Sequence, residues 1–374
     1  MMPKATTSHQ FEPDWAVAPG ATIANILAAR AISQERFAEL IGERVETVHR
    51  LLTGDEPVDG DLATRISRCL GSSEAFWTKR EAQFRSDAAR VREAEIQGAK
   101  LEWVKQFPVR EMVSLGWIAD FRSQSEAAEA CLDLFGVPDV PSWQLRFGGI
   151  ATNVAFRLSL SARSTAGAIA AWLRWSELLA NRISCAQWSP QIFRERLEVI
   201  KGLTRQKNPE TFIPMLRDMC ADAGVAVVVA KAPKGCPASG ATKFLSPNKA
   251  MIVLTFRYRS DDQFWFSFFH EAGHLLLHNI DSLFLEDGND PRSECEAEAN
   301  EFAERTLISA RHRAELDNLR VDGKAIIRFA QRAGVTPGIV VGQLQHRGRI
   351  PPSGFNWLKR RFSWEKIDLE AISP

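Results

Sequence analysis

Tyrosine is nearly missing from this chain: there is 1 Tyr in 374 residues, against 11 Trp and 22 Phe. Any step that needs a phenol therefore rests on Tyr258. Long apolar runs are also missing, since no stretch reaches the roughly 18 residues that a membrane-spanning helix requires. No membrane association is expected. The opening MMPKATTSHQFEPDW lacks the apolar segment of a secretory signal, which argues against export. The cysteines (Cys69, Cys131, Cys185, Cys220, Cys236 and Cys295) form no C-x-x-C pair and suit a reducing compartment. An excess of one charge is absent too. With 47 Lys/Arg against 46 Asp/Glu, the net charge of +1 removes any global preference for polyanions. These absences predict a cytoplasmic protein whose length allows two or three domains, with 45% hydrophobic residues to fill their cores.

Histidine is scarce at 7 residues, yet His270 and His274 fall in one short run, FFHEAGHLLLH, as H-E-x-x-H. On a helix, residues four apart lie about 40° apart around the axis and about 6 Å along it, so both imidazoles can converge on one ion. This is a zinc peptidase signature. Three protein ligands on zinc leave a fourth position for water, whose pKa drops to about 7, and a carboxylate such as Glu271 beside the pair can take its proton. The bland reading is a hydrogen-bonded core pair. Phe268, Phe269, Ala272, Gly273 and Leu275 to Leu277 are all uncharged, and two His and a Glu buried among them would be costly without a partner that satisfies them.

A third ligand must come from elsewhere, because Leu277 and Ile280 stand where HExxHxxGxxH would place Gly and His. Downstream, PRSECEAEANEFAERTLIS predicts a helix with Pro291 at its start, Ser293 as N-cap, and apolar positions at Ala299, Phe302, Ala303 and Leu307. Glu296 on this helix is the favoured ligand. Asn300, one turn on, shares its face and could orient a ligand imidazole from outside. Two alternatives stay open: Ser293-x-x-Glu296 also reads as a capping box, and His278 is the next ligand in line.

At this point the residues resemble a known family. SGATKFLSPNKAMIVLTFRYRSDDQFWFSFFHEAGHLLLH followed by ECEAEANEFAERTLIS is similar to the ImmA/IrrE zinc metallopeptidases, over roughly residues 205 to 350 and including PGIVVGQLQHRGRI. The resemblance implies His270, His274 and Glu296 as Zn2+ ligands and Glu271 as the base that activates a zinc-bound water. It also implies a substrate class, since members make limited cuts in helix-turn-helix repressors, often under stress or in the control of mobile elements. The ending ERTLIS departs from the Pro that members usually carry there. Tyr258 and His346 are candidates for stabilising an oxyanion by residue type alone, with packing as the competing role for each.

A second signal lies near the N-terminus. Residues 19 to 77 read as five short helices punctuated by Ser33, Gly42, Gly54, Gly60 to Asp61, and Gly71 to Ser73. Ser33 to Ile41, then Gly42, then Arg44 to Leu52 has the length and turn of a helix-turn-helix. The stretch resembles the XRE type, and closely its HigA antitoxin branch, over about residues 17 to 85. Exposed positions on the second of these helices would be Arg44, Glu46, Thr47, His49 and Arg50, with Arg44, Thr47, His49 and Arg50 as the candidate DNA contacts. Yet residues 1 to 90 hold eleven Lys/Arg and thirteen Asp/Glu, an acidic balance that disfavours phosphate contacts. Docking of protein is the competing use of this module.

Between the two signals, residues 95 to 205 show apolar positions three and four apart in SEAAEACLDLFGV, AGAIAAWLRWSELLANRI and SPQIFRERLEVIKGLT. They resemble the helical connector of HigA-type proteins fused to ImmA/IrrE domains. Many of the Trp residues fall here and read as core. GVAVVVA and AMIVLTF read as strands. GCPASGATK has Gly235 and Gly240 at phosphate-loop spacing but lacks the Lys that must follow, so SGATKFL is expected instead as the edge strand of a peptidase cleft. NWLKRRF reads as a solvated basic helix face.

The expected fold is α+β: an all-α helix-turn-helix domain (17–90), a helical connector (95–205), a zincin-like domain with a small sheet and the HExxH helix (206–350), and a tail (351–374). The expected function is a zinc endopeptidase acting on a repressor or antitoxin. DNA is a further candidate partner of the N-terminal module, and homodimers suit helix-turn-helix proteins that pair with one another. The alternative is a HigA-like DNA-binding regulator or antitoxin whose zinc domain senses or scaffolds.

Overall fold

The computed structural model describes residues 13–157, 162–278, 284–286 and 294–364. Two compact units divide the chain, Met1–Lys100 and Leu101–Pro374. The first contains α1 (Pro19–Ala29), α2 (Gln34–Ile41), α3 (Val45–Thr53), α4 (Gly60–Leu70) and most of α5 (Glu74–Val104). Ser33 caps α2 by accepting the Arg36 N–H, and Gly42 ends that helix in the left-handed conformation at φ 68°. Asp59 caps α4 in the same way through the Leu62 N–H. Phe37, Ile41, Val48, Leu51, Ile66 and Trp77 close a core among these helices. Four of the helices are short, as the punctuation predicts. The fifth differs: α5 continues for 31 residues, because nothing between Glu74 and Val104 breaks the helix except Gly98, and a single glycine costs only about 1 kcal/mol.

The second unit holds α6 (Val109–Ser114), α7 (Gln124–Phe135), α8 (Val140–Arg157), α9 (Ala162–Arg182), α10 (Pro190–Leu203) and α11 (Pro209–Ala221). After these come β1 (Val225–Val229), β2 (Gly240–Ser246), β3 (Lys249–Leu254), α12 (Asp261–Leu277), β4 (Phe284–Glu286), α13 (Glu294–Leu307), α14 (Ala310–Asp317), α15 (Gly323–Ala333) and α16 (Pro337–His346), with a 3-10 turn at Asn356–Leu358. The strands form one mixed sheet in the order β1-β3-β2-β4. β1 runs parallel to β3 with Val225 opposite Ala250. β2 is antiparallel to both neighbours, so that Thr242 lies between Ile252 and Phe284.

Both faces of the sheet are covered, and alternation sorts the side chains between two cores. Val225, Val227, Ile252 and Leu254 point to one core with Phe212, Trp265, Phe268 and Phe269. Ala226, Val228, Met251 and Val253 point to the other, with Phe135, Trp143, Trp172 and Ile169 from the helices of the connector. A strand buried on both sides is apolar throughout, which is why β1 and β3 are legible as hydrophobic runs. The connector's buried tryptophans (Trp103, Trp143 and Trp172) are core, matching the packing reading.

Two expectations about this unit are corrected. SGATKFL is an edge strand only in part: β4 pairs with Gly240 to Thr242 on the side away from β3, while among the described residues no strand pairs there with Lys243 to Ser246. Nor does NWLKRRF form a solvated helix face. The Lys359 side chain is 8% exposed, with its Nζ 2.6 Å from Asp262 Oδ2, and Arg360 donates to the carbonyls of Arg205 and Gln206 at 3.0 and 2.8 Å. Lys359 and Arg360 thus direct their donors to acceptors of the fold, while Arg361 is exposed. Among the described residues, no helix is long and apolar enough to cross a membrane.

Candidate metal centre

α12 carries the centre because its sequence buries almost all of its circumference. Phe264, Trp265, Phe268, Phe269 and Ala272 fill the core beneath the sheet. His270, Glu271 and His274 are 1%, 0% and 2% exposed. Asp261 and Asp262 in the first turn suit the positive end of the helix dipole. Burial, with Asp262 beside it, pushes the Asp261 carboxyl above its ordinary value.

α13 packs along α12, and Gly273 permits the close approach. A Cβ on Gly273 would lie 3.2 Å from the Cα of Ala299 and 3.2 Å from the Phe302 ring. A larger residue would wedge the helices apart. At this spacing His270 Nε2 and His274 Nε2 are 3.0 Å apart, and the Glu296 carboxylate lies 3.2 Å from the first and 3.5 Å from the second. Ligand atoms about 2.0–2.1 Å from one tetrahedral centre lie about 3.3–3.4 Å from one another. The three side chains therefore match the donor set and the spacing of a single zinc-sized ion, and among the described residues they form a group of metal-binding type.

The outer nitrogens of both imidazoles are also engaged. His270 Nδ1 is 2.9 Å from Asn300 Oδ1. With that oxygen accepting, Nδ1 carries the hydrogen and Nε2 presents its lone pair toward Glu296. His274 Nδ1 meets His278 Nδ1 at 3.0 Å, and His278 Nε2 meets Glu298 Oε2 at 2.9 Å. His278 thus sits behind His274, on the side away from Glu296. Burial, then His270 and His278, push His274 down to about 2, so its ring is neutral at physiological pH, as a metal ligand must be.

The expected capping partner Ser293 and the preceding Pro291 lie outside the described residues. Glu296 points to the imidazoles. Tyr258 and His346 both line a cavity of about 250 Å³ beside the centre, together with Phe266, Asn300, Glu304 and Gln343. Tyr258 is 49% exposed. The His346 side chain is 70% exposed and its Nε2 lies 3.5 Å from Glu304 Oε1. In the first unit, Arg44 is the N-cap of α3, His49 and Arg50 are exposed on that helix, and Thr47 is half-buried. Arg50 pairs with Glu56 at 3.1 Å, which reduces the charge that α3 could offer a phosphate.

With this geometry in place, the comparison with known families bears on part of the second unit. Residues 222–345 match the IrrE N-terminal-like domain of the peptidase M78 family. The match runs from just before β1 to the last turn of α16 and encloses His270, Glu271, His274, Glu296 and Asn300. Members of that family are zinc-dependent metallopeptidases, so the matched domain is similar to a peptidase and its His-His-Glu group to a metal site. No curated protein matches the chain. Three features of this centre have no signal in the sequence that points to it. Glu298 and the outward role of His278 carry no motif of their own. Gly240 stands at a phosphate-loop spacing that it does not fulfil and within the strand SGATKFL, neither of which points to Glu271.

Proposed function

We propose that the chain is a zinc-dependent endopeptidase that makes limited cuts in a helix-turn-helix transcriptional repressor or antitoxin. The observation that carries this reading is the convergence of His270, His274 and Glu296 at 3.0 to 3.5 Å, inside the stretch matched to a peptidase family and with Glu271 one residue from the first ligand. His270, His274 and Glu296 would hold the ion, which supplies a Lewis acid that polarises the scissile carbonyl and acidifies water. Glu271 accepts the proton of the attacking water at its carboxylate and delivers it to the leaving amine. Asn300 and His278 keep the imidazoles oriented. Tyr258 and His346, on the wall of the adjoining cavity, are the side chains available to donate to the developing oxyanion.

The first unit would recognise the substrate. A single cleft reads only a short extended stretch of peptide, so selectivity for a repressor needs a second surface. The exposed face of α3 supports protein docking better than DNA binding, because Arg50 is already paired with Glu56 and Glu46 lies on the same helix. A DNA-binding regulator remains the second reading, on the strength of Arg44, Thr47, His49 and Arg50 along α3.

The test is incubation of the zinc-loaded chain with helix-turn-helix repressors encoded beside its gene, with the fragments identified by mass spectrometry. One or two defined cuts by the native chain are expected. Glu271→Gln should retain one zinc per chain and lose hydrolysis, because the amide keeps the shape but cannot take the proton. Cleavage by that variant at the native rate would defeat the mechanism.

A further inference from the structure

We infer that Gly240 is a positioning residue for Glu271, an inference that rests on the peptidase reading for its functional consequence. Gly240 opens β2 and is held from both sides, opposite Leu254 of β3 and Glu286 of β4. α12 packs across this strand. A Cβ built on Gly240 would lie 2.8 Å from Glu271 Oε1, 2.9 Å from its Cγ and 3.2 Å from its Cδ. Carbon atoms reach optimal contact only at about 3.5–4.0 Å. The Glu271 side chain therefore lies flat against the bare Cα, in volume that any other residue would fill.

Backbone geometry does not account for the glycine. Gly240 is not among the residues with positive φ, so an L side chain could adopt its conformation. Within a strand, glycine weakens pairing and leaves a packing position empty, and it commonly marks the close approach of another group. Here that group is the carboxylate of the catalytic base. Gly240 cannot retreat because it is registered between two strands, and α12 cannot retreat because its other faces are packed in the core. An added methyl group is relieved most cheaply by swinging the whole Glu271 side chain about its Cα–Cβ bond, because Cγ and Cδ are crowded as well as Oε1. The three nearest atoms all belong to Glu271 and none to His270, His274 or Glu296, so the strain falls first on the base.

A base must come within about 2.6–3.2 Å of the proton it takes, and a displacement of about 1 Å costs on the order of 10²-fold in rate. Gly240→Ala should therefore bind one zinc per chain with native affinity, keep KM within about twofold, and lose about 10²-fold in kcat. A role confined to strand stability would not produce this split. The contact itself is tested without turnover by a thermal-melting cycle in the full-length chain. Gly240→Ala should lower the melting temperature when Glu271 is present and should have no such effect in a Glu271→Ala background, where Cγ, Cδ and both oxygens are gone.

Equal destabilisation in both backgrounds overturns the inference, as does native kcat in Gly240→Ala. If Gly240→Ala alone fails to fold, recovery of a folded, zinc-binding chain in the double variant supports it, and failure of the double variant overturns it. Should the native chain cut no repressor at all, the peptidase reading fails while the melting cycle still decides whether Gly240 positions Glu271.

Discussion

At the residue scale, the centre is built in two layers. His270, His274 and Glu296 face one another, while Asn300 and His278 face the outer nitrogens of the two imidazoles. His278 is tied in turn to Glu298. An imidazole with one nitrogen committed to such a partner has a single tautomer and a single ring orientation, and losing that partner typically costs about 10–100-fold in metal affinity. Zinc competition with a calibrated chelator should show a loss of that size in His278→Ala and a smaller one in Glu298→Ala, with stoichiometry still one per chain at saturating zinc. Glu296→Ala should lose the ion outright. Full occupancy in Glu296→Ala with loss in His278→Ala would reverse the assignment of these two residues.

At the element scale, α12 depends on the segment that follows α16. Asp261 N–H donates to the Arg360 carbonyl, Asp261 Oδ1 accepts the Arg360 N–H, and Phe362 N–H donates to the Arg259 carbonyl. Lys359 enters beside them to pair with Asp262, at 8% and 3% side-chain exposure. Its ammonium also donates to Gln345 Oε1 at 2.7 Å, which links the segment to α16. Breaking a buried pair from one side leaves an uncompensated charge and costs about 3–5 kcal/mol. Chemical denaturation of Lys359→Met should show a loss of that order. Adding Asp262→Asn should recover much of it, since the stranded carboxylate is then gone. Additive losses in the double variant would show that the two residues act independently.

At the scale of the whole molecule, the chain joins a small all-α unit to a larger unit in which a four-stranded sheet is covered on both faces. The division of labour follows from the chemistry that each unit carries. The His270, His274 and Glu296 group belongs to the second unit, and the first presents a helical surface. If the first unit docks the repressor, Arg44→Ala, His49→Ala and Arg50→Ala combined should slow cleavage of the folded repressor at least about tenfold, equivalent to about 1.4 kcal/mol of lost docking energy. Cleavage of a short peptide spanning the cut site should be unchanged. Equal losses on both substrates would rule out docking. Tight operator binding by the intact chain at physiological salt, abolished by the same three substitutions, would favour the regulator.

The sequence by itself determined which residues could meet on a helix, because helical spacing is a local property. His270 and His274 are four apart, as are Glu296 and Asn300, and the glycines and caps that start and stop α2, α3 and α4 lie within a few residues of what they terminate. The strands β1 and β3 were legible for a related reason, since burial on both faces leaves a continuous apolar run. What only the tertiary structure decided are contacts between elements distant in sequence. These include β4 covering β2, Lys359 neutralising Asp262, His278 standing behind His274 with Glu298 from the next helix, and the bare Cα of Gly240 against Glu271. None of these has a spacing rule, because the geometry is set by how helices and strands pack once the core closes, and a residue type alone does not say which surface it will meet.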